Sequence, residues 1–247
     1  MAGPDRPSIL SSQHEHWETM LAQKPEMFGS SPSDPASKAA EIFRAEGVRR
    51  ILELGGGQGR DTFFLVQSGF TVDVLDYAAP GVEAMRRKAR ELGVSDSVHP
   101  AQHDVRRPLP FPDATFDACY SHMLFCMALT TADLDALSRE VLRVLRPGGL
   151  CVYTVRTTND PDFGRGIHRG EDLYENQGFI VHFFDRTKVE RLGHGYEIVS
   201  IDEFEEGKLP RRLYRVTTLP VEINHKGSVP SGTTFTFDLM LSVSIAK

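Results

Sequence analysis

Residues 51–61 read Ile-Leu-Glu-Leu-Gly-Gly-Gly-Gln-Gly-Arg-Asp, an apolar run that opens into glycines at 55, 57 and 59. An apolar run without strict alternation is how a buried parallel strand reads. A glycine-rich turn lets backbone pass under a ligand where a Cβ would collide. The turn feeds a helix over 61–68, whose N-terminus favours a negative group. A second strand, 71–75, then ends on Asp76. A carboxylate at that strand tip can take both hydroxyls of a ribose. Strand, glycine turn, helix, strand and acid together describe a nucleoside-binding half-fold.

The glycine spacing narrows the nucleoside. A dinucleotide site wants Gly-x-Gly-x-x-Gly. Counting from Gly55 the sixth position is Arg60, and from Gly57 it is Thr62, so that fingerprint fails. A Gly-x4-Gly-Lys-Ser/Thr phosphate loop is absent as well. What remains is Glu53-x-Gly55-x-Gly57-x-Gly59 with Asp76 in register.

The rest of the chain alternates helix and strand, as a doubly wound sheet requires. Helices are expected at 36–46, at 80–92 (Pro80 early, Gly93 after the end) and over about fifteen residues from Thr130 to near Leu145. Strands are expected at 98–102, 116–121, 150–156, 196–203 and 212–218, with Pro147-Gly148-Gly149 breaking the chain before the fifth. A short helix should follow Asp185. Thr233–Ile245 alternates Phe235, Phe237, Leu239, Leu241, Val243 and Ile245 with mostly polar partners, which is a strand with one buried face. It would add to the sheet beside 212–223 or pair with a second chain.

The 247 residues suffice for one α/β core, and a net charge of −6 disfavours a protein that tracks nucleic-acid phosphates. No apolar run approaches a membrane span, and the first residues lack a secretion signal's apolar core. Cys119, Cys126 and Cys151 match no compact zinc spacing and read as reduced, buried thiols of a cytoplasmic protein. No metal is expected. His14-x-His16 reads as solvated polar residues at a helix start.

The Glu53–Gly59 pattern, Asp104 ahead of Leu-Pro-Phe-Pro-Asp-Ala-Thr-Phe-Asp-Ala, and Leu-Arg-Pro-Gly-Gly-Leu together resemble the signatures of class I S-adenosylmethionine-dependent methyltransferases. Within that group, Gly59-Arg-Asp61, the stretch 120–129, the stretch 154–166, Gly178-Phe-Ile-Val-His-Phe-Phe184 and the run 203–212 resemble the tellurite-resistance-type and type 11 methyltransferases. The resemblance covers roughly residues 14–218. It implies a Rossmann-like, doubly wound, seven-stranded, mostly parallel sheet with antiparallel last strands, here carrying an extra C-terminal β-hairpin. The expected division is an N-terminal lid or docking segment (1–35), the methyltransferase domain (36–218) and a C-terminal β extension (219–247).

Carried over position by position, the family's roles put Gly55, Gly57 and Gly59 under the methionine and ribose of S-adenosylmethionine, which leaves as S-adenosylhomocysteine. Asp76 would bind the ribose and Tyr77 would pack on the adenine. Asp104 and Val105 would meet the adenine amine, and Ser121 or His122 the methionine end. Glu53 would organise the turn, as cofactor contact or as structural support. His122 is the first candidate for a catalytic base, with a positioning role as its alternative. Arg156 would hold an anionic acceptor or pair with Asp160 or Asp162. Trp17, Phe28, Phe125, Tyr174, His182 and Phe184 are candidates for the substrate pocket. The expected reaction is methyl transfer to a small molecule, led by a soft or anionic nucleophile of the tellurite, selenite or thiol type. O- or N-methylation of a small aromatic acceptor is the second reading, and a SAM-binding regulatory protein without transfer activity is a third. No nucleic-acid or membrane partner is expected, and the C-terminal strand could support a homodimer.

Overall fold

The computed structural model describes residues 6–207 and 210–221, with side chains from residue 12 onward. The C-terminal strand expected at 233–245, and with it the hairpin and dimer contact built on it, lies outside the described residues.

Seven strands form one sheet in the order β3-β2-β1-β4-β5-β10-β9. These are β1 Arg50–Leu54, β2 Thr71–Asp76, β3 Val98–Gln102, β4 Phe116–Ser121, β5 Leu145–Arg156, β9 Tyr196–Glu206 and β10 Arg211–Pro220. The first five pair in parallel, while β10 runs antiparallel to both β5 and β9. This is the doubly wound, Rossmann-like arrangement with antiparallel last strands that the alternation of elements implies. The order reverses between β1 and β4, so a crevice opens at their carboxyl ends, where Gly55 and His122 follow.

Apolar packing covers both faces. On one side Phe43, Phe63, Phe70 and Met85 close over Val72, Val74 and Tyr120, drawing on α2 Asp34–Ala45, α3 Arg60–Gln67 and α4 Ala79–Glu91. On the other, Leu134, Leu137 and Val141 of α5 Thr131–Val144 meet Leu52, Cys119 and Val155, joined by Val189 and Leu192 of α6 Arg186–Leu192. Local chemistry sets the helix limits. The Ser33 hydroxyl accepts from the Ala36 N–H to cap α2, and Thr130 and Asp133 cap α5 reciprocally. The three cysteines are free and buried. Among the described residues no helix is long and apolar enough to cross a membrane.

Four features differ from the sequence reading. Pro147-Gly148-Gly149 does not end an element: β5 starts at Leu145, and its register against β4 shifts between Phe116 and Ala118. A Cβ on Gly149 would lie 3.0 Å from the Asp117 carbonyl, so glycine is what allows the strands to stay together there. β10 is paired on both sides, so no free edge exists beside 212–220, and β9 is the edge strand. His14 and His16 stand well inside helix α1 Arg6–Gln23, against Tyr77 and Phe179 respectively, and not at a helix start. Finally, 167–182 is regular structure where the sequence reading placed no element. It forms a separate antiparallel sheet of β6 Ile167–Gly170, β7 Leu173–Asn176 and β8 Phe179–His182, which overhangs the crevice.

Candidate functional site

A cavity of about 890 Å³ runs from the glycine turn to the small sheet, roofed by α1. Pockets for small molecules span about 300–1,000 Å³, so this one lies near the top of that range.

Glycine forms the floor of its first half. Gly55 has φ +78°, and a Cβ there would sit 2.8 Å from the Leu124 side chain. Gly57 has φ +58°, and its Cβ would press on the Phe28 ring at 3.2 Å. Both positions therefore need glycine for conformation and for clearance. Gly59 does not reach the cavity and packs against Phe63 and Met85 below the turn, capping α3. The Asp76 carboxylate closes the end of β2, accepting from the N–H groups of Gly57 (2.8 Å) and Ala78 (2.9 Å). Burial pushes its pKa up to about 6 against those two bonds. Glu53 is buried more deeply, and burial lifts its pKa to about 8, with Asp61 and Asp76 adding to the rise. Its Oε2 has no hydrogen-bond partner although Glu53 lines the cavity.

Tyr77, Asp104 and Val105 line the same half. Burial would raise the Asp104 carboxyl, but the Arg106 side chain and N–H hold it below the ordinary carboxylate range. Beneath the turn, Asp61 accepts from the Ser33 N–H (2.9 Å), the Ser33 hydroxyl (2.7 Å), the Tyr120 hydroxyl (3.0 Å) and Arg60 (2.9 Å). Burial opposes the Asp61 charge, yet Arg60 and these donors keep it low.

Aromatic rings also line the cavity: Phe28 directly over Gly57, and Trp17, Tyr174, Phe179 and Phe183. Trp17 meets Phe179 at 5.1 Å, and Tyr174 meets Phe183 at 6.1 Å. Strand alternation decides which residues of β8 and its extension face in. Phe179, Val181 and Phe183 line the cavity, so His182 and Phe184 point the other way and do not. His182 is fully buried, its Nδ1 2.8 Å from the Leu129 carbonyl and its Nε2 3.0 Å from the Lys188 ammonium. Burial and that ammonium depress its pKa. Phe125 also lies outside the cavity, stacked on Tyr153 in the core. So does Ser121, whose hydroxyl donates to the Leu54 carbonyl.

His122 and Arg156 both line the cavity. Arg156 donates from Nε to Asp160 (3.0 Å), from Nη2 to both Asp160 and Asp162, and lies over the Phe183 ring. Its guanidinium is thus largely taken up by carboxylates. His122 Nδ1 lies 2.9 Å from the Thr154 hydroxyl, and Nε2 lies 3.3 Å from Glu206. Glu206, Asp61 and Arg211 line the cavity without having been singled out as site residues. Glu206 sits in a charged, exposed-looking run whose only signal was its nearness to the β9–β10 turn.

Helix α1 is tied to both halves. Gln13 donates to the Gly178 carbonyl (2.6 Å) and accepts from the Ile180 N–H (3.1 Å), bridging to β8. His14 reaches the Tyr77 carbonyl, and Glu18 accepts from the Ala79 N–H at the start of α4. Gln58 of the glycine turn donates to the carbonyls of Leu21 and Lys24 at the end of α1.

These residues fit the S-adenosylmethionine implied above. Two glycines line the cavity where a Cβ would strike Leu124 or Phe28, a buried carboxylate stands at the β2 tip, and the unpartnered Glu53 oxygen suits a cationic group. Comparisons with known proteins agree with that fit. Residues 51–149 match a family model described as a methyltransferase domain. An uncharacterized methyltransferase of Mycobacterium sp. (strain KMS) is 34% identical over 138 residues, covering 52% of this chain and 50% of the relative. The chain thus spans about half the length of the curated relatives it matches first. The 1,6-didemethyltoxoflavin-N1-methyltransferase of Burkholderia thailandensis, solved with 1,6-didemethyltoxoflavin and S-adenosylhomocysteine, superposes with TM-score 0.71 at 16% identity, over 90% of this chain and 93% of that one. TehB from Haemophilus influenzae superposes with TM-score 0.62 at 14% identity, over 83% of this chain and 67% of that one. Likenesses of this identity carry the fold.

Proposed function

We propose that this chain, whose residues 51–149 match a model described as a methyltransferase domain, transfers the methyl of S-adenosylmethionine to a small, flat, mainly apolar molecule. One observation carries the reading: a single cavity is lined by the glycine floor, Glu53 and Asp76 and also by five aromatic rings.

When bound, S-adenosylmethionine supplies an electrophilic methyl on a sulfonium. The chain's own residues then bind, align and exclude water, which for in-line transfer can supply much of the rate. Asp76 takes ribose hydroxyls, Tyr77 covers the adenine beside Asp104 and Val105, and Glu53 meets the positive methionine end. Gly55 and Gly57 keep the backbone low enough for the donor to lie against it. Trp17 and Phe28 close the roof, with residues 1–35 acting as a lid pinned by Gln13, Glu18 and Gln58. His122 faces the acceptor. The aromatic wall favours a ring-bearing acceptor over the soft-anion reading, because Arg156, the group best suited to hold an anion, is engaged by Asp160 and Asp162. The buried free thiols suit a reducing, cytoplasmic setting.

The test is incubation of the protein with methyl-labelled S-adenosylmethionine and a panel of small phenols, N–H heterocycles, thiols, selenite and tellurite. Label transfer to a ring-bearing member supports the reading. Transfer confined to tellurite or selenite would return the soft-anion acceptor to first place. Binding of the donor with no transfer to any acceptor would favour a SAM-binding regulatory protein.

A further inference from the structure

Glu206 is the last residue of β9, and its side chain reaches into the acceptor half of the cavity, 22% exposed. Its Oε2 lies 3.3 Å from His122 Nε2. The other imidazole nitrogen, Nδ1, lies 2.9 Å from the Thr154 hydroxyl, which also accepts from the Met123 N–H at 2.9 Å. Counting protons assigns the tautomer. Thr154 is fully buried, and its oxygen already receives the Met123 N–H. Every donor is satisfied when Thr154 O–H donates to Nδ1 and Nε2–H donates to Glu206. Neither imidazole nitrogen then presents a lone pair to the cavity. The basic atoms on this wall are the carboxylate oxygens.

We propose that Glu206, held by His122 and Thr154, accepts the proton of a protic acceptor, so that the molecule methylated carries a hydroxyl or N–H group on its apolar ring. This rests on the methyl-transfer reading above. In the step a carbon–oxygen or carbon–nitrogen bond forms from the acceptor's lone pair as the methyl–sulfur bond breaks. The broken bond's electron pair stays on sulfur, leaving a neutral thioether. The acceptor's proton passes to Glu206, which becomes a neutral carboxylic acid. One positive and one negative charge disappear together. His122 is a positioning residue, since its Nε2–H stays with the carboxylate throughout.

The surroundings keep Glu206 ionised, and so able to accept a proton, while making it a weak base. Burial works against a Glu206 charge, but the His122 hydrogen bond and the nearby Arg60 and Arg211 outweigh it and keep the carboxyl below its ordinary range. Arg60 and Asp61 of α3, His122 after β4 and Arg211 of β10 are the charged or titratable groups facing this pair. A thiolate or oxyanion acceptor needs no proton removed, and it would meet a carboxylate of its own sign.

The experiment uses the full chain, S-adenosylmethionine and three ring-bearing probes: 2-naphthol, benzimidazole and 2-naphthalenethiol. Wild type is expected to methylate 2-naphthol or benzimidazole. Glu206→Gln should lower kcat about 100-fold or more with KM little changed, as loss of a proton acceptor does, while Glu206→Asp recovers part of it. Donor affinity by calorimetry is measured on the same variants, so that loss of the donor is told apart from loss of the proton acceptor. Wild-type kcat should stay flat through the histidine range, where an imidazole base would impose a break. In His122→Gln the acid limb should move up towards the ordinary carboxylate range. An unchanged kcat in Glu206→Gln overturns the proposal, as does a break in the histidine range. A wild type that binds the donor but turns over the thiol alone, or none of the three, overturns the protic-acceptor assignment. Failure to bind the donor would instead remove the methyl-transfer reading beneath it.

Discussion

Glu53 offers the most demanding test of the donor half, because its state should change when a cation arrives. In the structure its pKa stands near 8 against an ordinary 4.5, chiefly through burial. That rise corresponds to about 5 kcal/mol of resistance to ionisation, an upper bound because the protein relaxes around a new charge. The sign follows directly. A carboxyl whose folded pKa is raised is tolerated below its unfolded pKa, and the folded state loses that advantage as pH climbs through the folded value. The ligand-free protein should therefore lose stability between about pH 4.5 and 8. Asp76, raised to about 6, accounts for part of the lower stretch. Between 6 and 8 the falling contribution is that of Glu53, set against a rise near pH 6.5 from His182, whose depressed pKa favours the folded state as pH climbs. Glu53→Gln should remove the falling contribution, measured as urea unfolding at a series of pH values. Donor binding adds a second reading. A cationic group beside Oε2 pulls the Glu53 pKa down, so S-adenosylmethionine should release most of one proton at pH 6.5–7, below the α-amino range. Calorimetry in buffers of different ionisation enthalpy measures that release, and Glu53→Gln should abolish it. Wild type binding the donor without releasing a proton would refute the assignment of Glu53 to the positive end of the ligand.

Three further perturbations bear on separate parts of the site. Asp76→Asn should weaken S-adenosylmethionine about 10- to 100-fold by calorimetry, the worth of charge-assisted hydrogen bonds to the ribose. Arg156→Met should destabilise the fold by about 3 kcal/mol in chemical unfolding, because it leaves Asp160 buried without its counter-charge, held only by the Asp162 and Arg212 N–H groups; normal stability with a lost acceptor site would mean that Arg156 serves the ligand. Gln13→Leu removes both bonds between α1 and β8 and strands two backbone groups. It should cost about 1–3 kcal/mol locally and speed proteolysis between residues 24 and 33.

Much of the donor half was legible in the sequence, because its parts follow one another within twenty-six residues. Ile51 to Leu54 form β1, the glycines turn, α3 follows, and Asp76 ends β2, all in chain order with strong local signals. The same holds for α5, whose Thr130–Asp133 capping box and apolar stripe are both local. The acceptor half was harder because tertiary contacts build it. Strands β6 to β8 have four residues each, too few to show a period, and their glycines and charges look like loop. Without that small sheet, nothing reveals that Phe179, Val181 and Phe183 face inward while His182 and Phe184 face the core. Glu206 lies eighty-four residues from His122, and only the antiparallel return of β9 and β10 brings them together. His14 and His16 of α1 looked solvated because the rings they meet, Tyr77 and Phe179, are more than sixty residues away.

The central claim is that the glycine floor with Asp76 binds S-adenosylmethionine. Calorimetric titration with S-adenosylmethionine and S-adenosylhomocysteine, on wild type and on Asp76→Ala, tests it most directly. The account predicts micromolar binding of both ligands by wild type and its collapse in a folded Asp76→Ala. A folded wild type that binds neither, or an Asp76→Ala variant that binds both as tightly, would contradict it.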